Sequence, residues 1–184
     1  QLAAVVSHEE HALIMAALEH DALLLTLDMR LRGLASAFQV ESCWPQVFLA
    51  SKLGPELSLS DYSSAVLRMF CSRRDFIALN VHDLLVLTDH GGGWLNIGFT
   101  RLRELLSAPS CDFSKGWAVI RQYLISLYGR GNCEVGAVLE FYVYLLEGLL
   151  RHPECPTDFA TNAAAHLGME LGGKKDAFTD RLRE

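Results

Sequence analysis

Positive charge is scarce in this chain. Against 22 Asp and Glu stand only 16 Lys and Arg in 184 residues, a formal net charge of −6. No global positive field draws in nucleic acid, so any contact with RNA or DNA has to come from a local patch. Long apolar runs are missing as well. Stretches such as Ala22 to Leu25 and Phe141 to Leu146 fall far short of the roughly 18–20 residues that a membrane span needs, and no membrane partner is expected. The five cysteines (Cys43, Cys71, Cys111, Cys133, Cys155) are odd in number and contain no CxxC pair, which argues against a zinc knuckle or a disulfide framework. Reduced, mostly buried thiols in a cytoplasmic protein are the expectation. No signal or transit sequence is visible, and the chain opens on Gln1 rather than Met; a fragment lacking its N-terminal part is expected. What remains is a globular composition, 51% hydrophobic and 21% charged, unlike that of a disordered chain.

The first forty residues alternate between helical and extended patterns. Ser7-His8-Glu9-Glu10 is a capping box, in which the Ser7 hydroxyl and the Glu10 carboxylate satisfy each other's backbone N–H groups. Leu13, Ile14, Ala17 and Leu18 then repeat at helical spacing, which predicts a helix to about His20. Residues 22–27 (ALLLTL) are short and apolar between Asp21 and Asp28, the pattern of a buried strand in a sheet covered on both faces. A second helix is predicted over 29–38, with Leu31, Leu34 and Ala35 inward and Arg30 and Arg32 outward, followed by a short strand at 38–42. This α-β-α-β order is the signature of an α/β unit.

Beyond Cys43 the pattern turns helical. Trp44 to Leu53 carries Pro45 in its first turn, where a missing N–H costs nothing, and Gly54-Pro55 stops it. Ser60 or Asp61 is the expected cap of a helix bearing Tyr62, Ala65, Val66, Met69 and Phe70. A brief strand at 76–79 and a helix at 81–90 precede the break Gly91-Gly92-Gly93. Phe99, Leu102, Leu105 and Leu106 form one stripe, and Trp117, Ile120, Tyr123, Leu124 and Leu127 another. The segment 135–150 is apolar most of the way round, as in a helix central to a bundle or covered by another subunit. Pro153 and Pro156 close it; a small-residue helix (160–171) and a charged tail follow. No repeat of solenoid period is present.

Three clusters bear the letters of chemistry. His90-Gly91-Gly92-Gly93-Trp94 resembles an oxyanion loop in composition, but the chain has no G-x-S-x-G nucleophile elbow and a glycine turn between helices is the expected reading. His8-Glu9-Glu10-His11 is one residue short of H-E-x-x-H and lacks a third ligand, and His152-x-x-Cys155 straddles a proline; structural or solvent-facing histidines are expected for both. The third cluster is the carboxylate pair Glu10 and Asp28, which bracket the first helix–strand unit. Brought together, with one or two further acids, they would form an all-oxygen site suited to Mg²⁺ or Mn²⁺, ions that activate water and stabilise a hydrolysed phosphodiester. The alternative is that Glu10 caps one helix and Asp28 the next. Spacing alone leaves both open.

The run from His11 to Arg32, with Ala12-Leu13-Ile14 in the helix and Thr26-Leu27-Asp28 after the strand, resembles the C-terminal half of a PIN domain. The resemblance implies an α/β/α sandwich and, in the active members, a Mg²⁺- or Mn²⁺-dependent ribonuclease using three or four acids. Asp28 matches the T-x-D position and inherits a metal-ligand role. His11 stands where an acid is usual, with Glu10 as the adjacent carboxylate. Residues 44–130 resemble, more loosely, the helical extension of a PIN-like group found in larger bacterial multidomain proteins, through Trp44-x-Gln46, Leu57-Ser58, Tyr62, Phe76-Ile77-x-Leu79 and Asp83-Leu84-Leu85.

The expected fold is therefore α/β, a partial PIN-like α/β/α unit over residues 1–43, followed by an α-helical bundle region over 44–171 and a charged tail over 172–184. Two functions follow. In the first, Glu10 and Asp28 are the catalytic metal ligands, Thr26 orients the site, and Arg30 and Arg32 reach RNA phosphates, with Arg73-Arg74 and Arg101/Arg103 as further basic pairs. In the second, a catalytically inactive module works through protein contact, as a homo-oligomer or with another domain, by way of the apolar helix 135–150.

Overall fold

The computed structural model describes residues 6–74, 77–131 and 135–170. It is mostly helical, and its one sheet, among the described residues, is a parallel pair. The chain divides into two compact units, residues 1–66 with 74–77 and residues 67–73 with 78–184.

The first unit follows the predicted α-β-α-β order. Helix α1 (His8–Glu19) starts at the expected capping box, with both Ser7–Glu10 bonds formed. It ends when Asp21 enters the left-handed region (φ 48°), and the Ala22 and Asp21 N–H groups close back onto Ala17 O and Leu18 O. Helix α2 (Met29–Ala37) ends the same way: Gln39 has φ 59°, Val40 N–H donates to Ala35 O and Gln39 N–H to Ser36 O. This pairing of bonds is the Schellman motif, built here on residues other than glycine.

Each stop feeds a two-residue strand, β1 (Leu24–Leu25) and β2 (Ser42–Cys43), paired parallel with Leu24 opposite Ser42 and Leu25 opposite Cys43. Both strands are shorter than the predicted 22–27 and 38–42. Ala22, Gln39 and Val40 spend their N–H groups on the helix stops and cannot join the ladder. Ile14, Ala17, Leu31, Ala35 and Val40 form the core, with Leu24, Leu34 and Phe38 packed on it. Leu23 and Leu25, on the other side of the pleat, are each 43% exposed. The expected doubly covered, buried strand is thus covered on one face among the described residues.

Helix α3 (Pro45–Ser51) has Pro45 at its start. Helix α4 (Leu59–Cys71) is capped by Ser58, whose hydroxyl accepts from Asp61 N–H, rather than by Ser60 or Asp61. Gln46 Nε2 donates to the buried Tyr62 hydroxyl at 3.2 Å, so two residues of the looser resemblance serve packing here. The strand predicted at 76–79 lies partly outside the described residues, and 77–79 are not extended into a ladder.

The second unit is a helical bundle of α5 (Val81–Asp89), α6 (Ile97–Leu106), α7 (Phe113–Gly129), α8 (Val135–Leu150) and α9 (Phe159–Glu170). Asn80 and Asp83 form a capping box at the start of α5. The Gly91-Gly92-Gly93 break carries three positive φ angles (81°, 83°, 53°). Helix α8 packs against α6, α7 and α9, and Val138, Leu139, Phe141, Tyr142, Leu145, Leu146 and Leu149 are all buried. Most of its apolar surface is thus covered by its own neighbours in the bundle, while Val143 and Leu150 stay exposed. This packing lends no support to the expected contact with another domain or copy through 135–150. The tail 172–184 lies outside the described residues.

Candidate functional site

The first unit brings the sequence-derived site residues to one end. A helix rises about 1.5 Å per residue and a strand about 3.3 Å, so twelve residues of α1 and the shorter return through 23–28 cover similar lengths in opposite senses. The start of α1 therefore meets the end of β1 with no intervening element. Glu10 stands at the third position of α1, and Asp28 follows β1 as the cap of α2.

Each carboxylate already has partners. Glu10 Oε2 accepts from Ser7 N–H at 2.7 Å and from Arg30 Nη2 at 3.3 Å. Asp28 Oδ1 accepts from the backbone N–H groups of Arg30 (2.8 Å) and Leu31 (3.1 Å). Both structural roles left open by the sequence are thus realised, and the two acids are also close enough to feel each other. The Ser7 backbone N–H, then the Ser7 hydroxyl, hold the Glu10 carboxyl below its usual range. Partial burial opposes this, Arg30 adds to it, and the Asp28 charge opposes it. Thr26 Oγ1 accepts from Asp28 N–H at 3.0 Å, a local turn that fixes the backbone from which Asp28 projects.

The two arginines of α2 differ. Arg30 is 56% exposed and tied to Glu10, which is 17% exposed. Arg32 does not stand out in solvent as expected: its guanidinium lies 4.5 Å over the Trp44 ring, and its Nε is shielded with no hydrogen-bond partner among the described residues. Such stacking holds a guanidinium by cation–π attraction, and Trp44 is a partner that a helix-face reading of Arg32 misses. His11 meets Phe38 edge-on at 6.3 Å. The further basic pairs are also engaged: Arg73 and Arg101 with Glu104, Arg103 with Glu147 and over the Tyr144 ring at 4.3 Å.

Among the described residues, no group of three or more His, Cys, Asp or Glu side chains is placed to hold a metal ion. A shallow polar depression lined by Asp21, Gln39 and Glu41 lies at the beginning of the two strands, the end opposite Asp28. His152, expected to be structural or solvent-facing, is buried with both ring nitrogens taken. Nε2 donates to Cys111 O at 2.9 Å and Nδ1 accepts from Glu154 N–H at 3.1 Å. Cys43, Cys71, Cys111 and Cys155 are free and half-buried rather than buried. Burial pushes the Cys71, Cys111 and Cys155 thiols up, away from the thiolate form a nucleophile requires. No helix among the described residues is long and apolar enough to cross a membrane. No family model, curated protein or solved structure matches the chain.

Proposed function

We propose that this chain is a non-catalytic module of PIN-like descent that works by protein–protein contact. One observation carries the reading: Arg30 sits on the Glu10 carboxylate while Asp28 spends an oxygen on two backbone N–H groups. A divalent ion is poorly served there. It would have to displace or tolerate a fixed guanidinium charge, and Mg²⁺ demands near-ideal octahedral oxygen geometry. The pair does the work of helix capping and of joining α1 to α2.

The second reading, a Mg²⁺- or Mn²⁺-dependent ribonuclease, is favoured by the electrostatic contact between Glu10 and Asp28 and by Thr26 beside them. Calorimetric titration with MnCl₂, together with incubation on single-stranded RNA, separates the two. The expected result is no saturable heat and no cleavage, with Asp28→Ala lowering stability by about 1 kcal/mol through loss of the α2 cap. Saturable Mn²⁺ binding and RNA cleavage, both abolished in Asp28→Ala, would overturn the contact-module reading.

A further inference from the structure

Among the described residues, a guanidinium lies over an aromatic ring in each unit. In the second unit Arg103 stacks on Tyr144 at 4.3 Å, and its Nη1 donates to Glu147 Oε2 at 3.2 Å. Ring, cation and carboxylate make a complete set: the ring fixes the plane of the guanidinium, and the acid takes its edge. Arg101, the other half-buried arginine of α6, also meets an acid, Glu104. In the first unit Arg32 stacks on Trp44 at 4.5 Å, and the set stops there. Arg32 has no hydrogen bond and no ion pair among the described residues, and of its three nitrogens only Nε is shielded from solvent. Acids are not scarce in this unit: residues 1–66 with 74–77 hold nine Asp and Glu against four Lys and Arg. The two nearest in sequence are engaged elsewhere, Glu10 by Arg30 and Asp28 by backbone N–H groups. Arg32 is thus a half-buried cation whose Nη fork is held in a fixed plane with no acid on it among the described residues.

We infer that Arg32 on Trp44 is a carboxylate-binding site that takes an Asp or Glu side chain of a partner protein. This deepens the contact-module reading and rests on it. The parallel N–H donors of a guanidinium match the two oxygens of a carboxylate. Stacking on the indole restrains the side chain beforehand, so less freedom is lost on binding. Charge selects the carboxylate over the RNA phosphates expected from the sequence. A phosphate backbone brings a run of negative charge to a unit already rich in acids, and Arg30, the next cation on α2, is tied to Glu10. One carboxylate is balanced by one guanidinium. Val47, one turn along α3 from Trp44, is 55% exposed and suits an apolar residue beside the acid.

Titration of the full chain with the capped peptide acetyl-Leu-Glu-Leu-amide tests this, followed by nuclear magnetic resonance at the Arg32 Nε–H and the Trp44 indole N–H. Saturable shifts of both are expected, with none from acetyl-Leu-Gln-Leu-amide and none from inorganic phosphate at matched ionic strength. Arg32→Lys keeps the charge but not the fork. It is expected to weaken binding, read at the Trp44 indole, by about tenfold or more, with an unchanged far-ultraviolet spectrum. No saturable shift with the Glu peptide, equal shifts with the Gln peptide or with phosphate, or full binding by Arg32→Lys would each overturn the inference. So would binding that emerges only after Asp75→Asn, a change at an acid outside the described residues, because the chain itself would then hold the fork. Each of these leaves the contact-module reading standing, whereas Mn²⁺-dependent RNA cleavage removes that reading and not a measured peptide affinity.

Discussion

Gln39 occupies a backbone conformation (φ 59°) that costs an L residue roughly 1–2 kcal/mol and glycine almost nothing. Its side chain is not required to end α2, since the stop is made by the main-chain bonds of Gln39 and Val40. Gln39→Gly is therefore expected to raise stability by about 1 kcal/mol after the extra freedom of the unfolded glycine is counted, read as a higher urea midpoint with an unchanged slope. The same residue shows where the sequence was opaque. A glycine after a periodic run advertises the end of a helix, whereas Asp21 and Gln39 do not, so apolar residues consumed by the stops looked like strand. The capping box at Ser7 and Glu10 was legible because its chemistry is local. The approach of Glu10 to Asp28 was legible only as a possibility, since it depends on α1 running back along β1. Arg32 over Trp44 was invisible for the same reason: the partners are distant in sequence and meet only through packing.

At the scale of elements, the bundle was the easier part. Each stripe of apolar residues at helical spacing became a helix with its interior face where expected, as with Ile120, Tyr123, Leu124 and Leu127 on α7. Apolar periodicity does not show how closely two helices approach. On α8, a Cβ added at Gly148 would lie 2.9 Å from Arg103 O and 3.3 Å from Arg103 Cα, main-chain atoms of α6 that cannot swing aside. Gly148 permits the close crossing of α6 and α8. Gly148→Ala, which would favour an isolated helix, is expected instead to destabilise by about 1–3 kcal/mol as the helices are pushed apart, measured as a lowered thermal midpoint. The charges astride this crossing, Arg103 with Glu147 at 3.2 Å, are partly solvent-exposed and add little by comparison.

For the whole molecule, acid is the common stress. Glu10 in the first unit and Asp112 at the start of α7 in the second are both held below the ordinary carboxylate range, Glu10 foremost by the Ser7 backbone N–H and Asp112 foremost by the Lys115 backbone N–H. A depressed folded-state value means a contribution that is complete above the unfolded value, about 4, and is lost as the pH falls through the folded one. Both units are accordingly expected to lose stability as the pH is taken from about 5 towards 2, followed by circular dichroism; Glu10→Gln and Asp112→Asn together should flatten that dependence. The paired helix stops carry a different implication. The same number of residues separates Ala17 from Leu24 and Ala35 from Ser42, one from each stop to the strand it feeds. The two strands arrive level because the chain counts equal steps after each left-handed turn. Spacing in this stretch thus matters beside the core side chains Ala17, Ala35 and Val40: a single inserted or deleted residue would put every following side chain on the wrong side of the sheet.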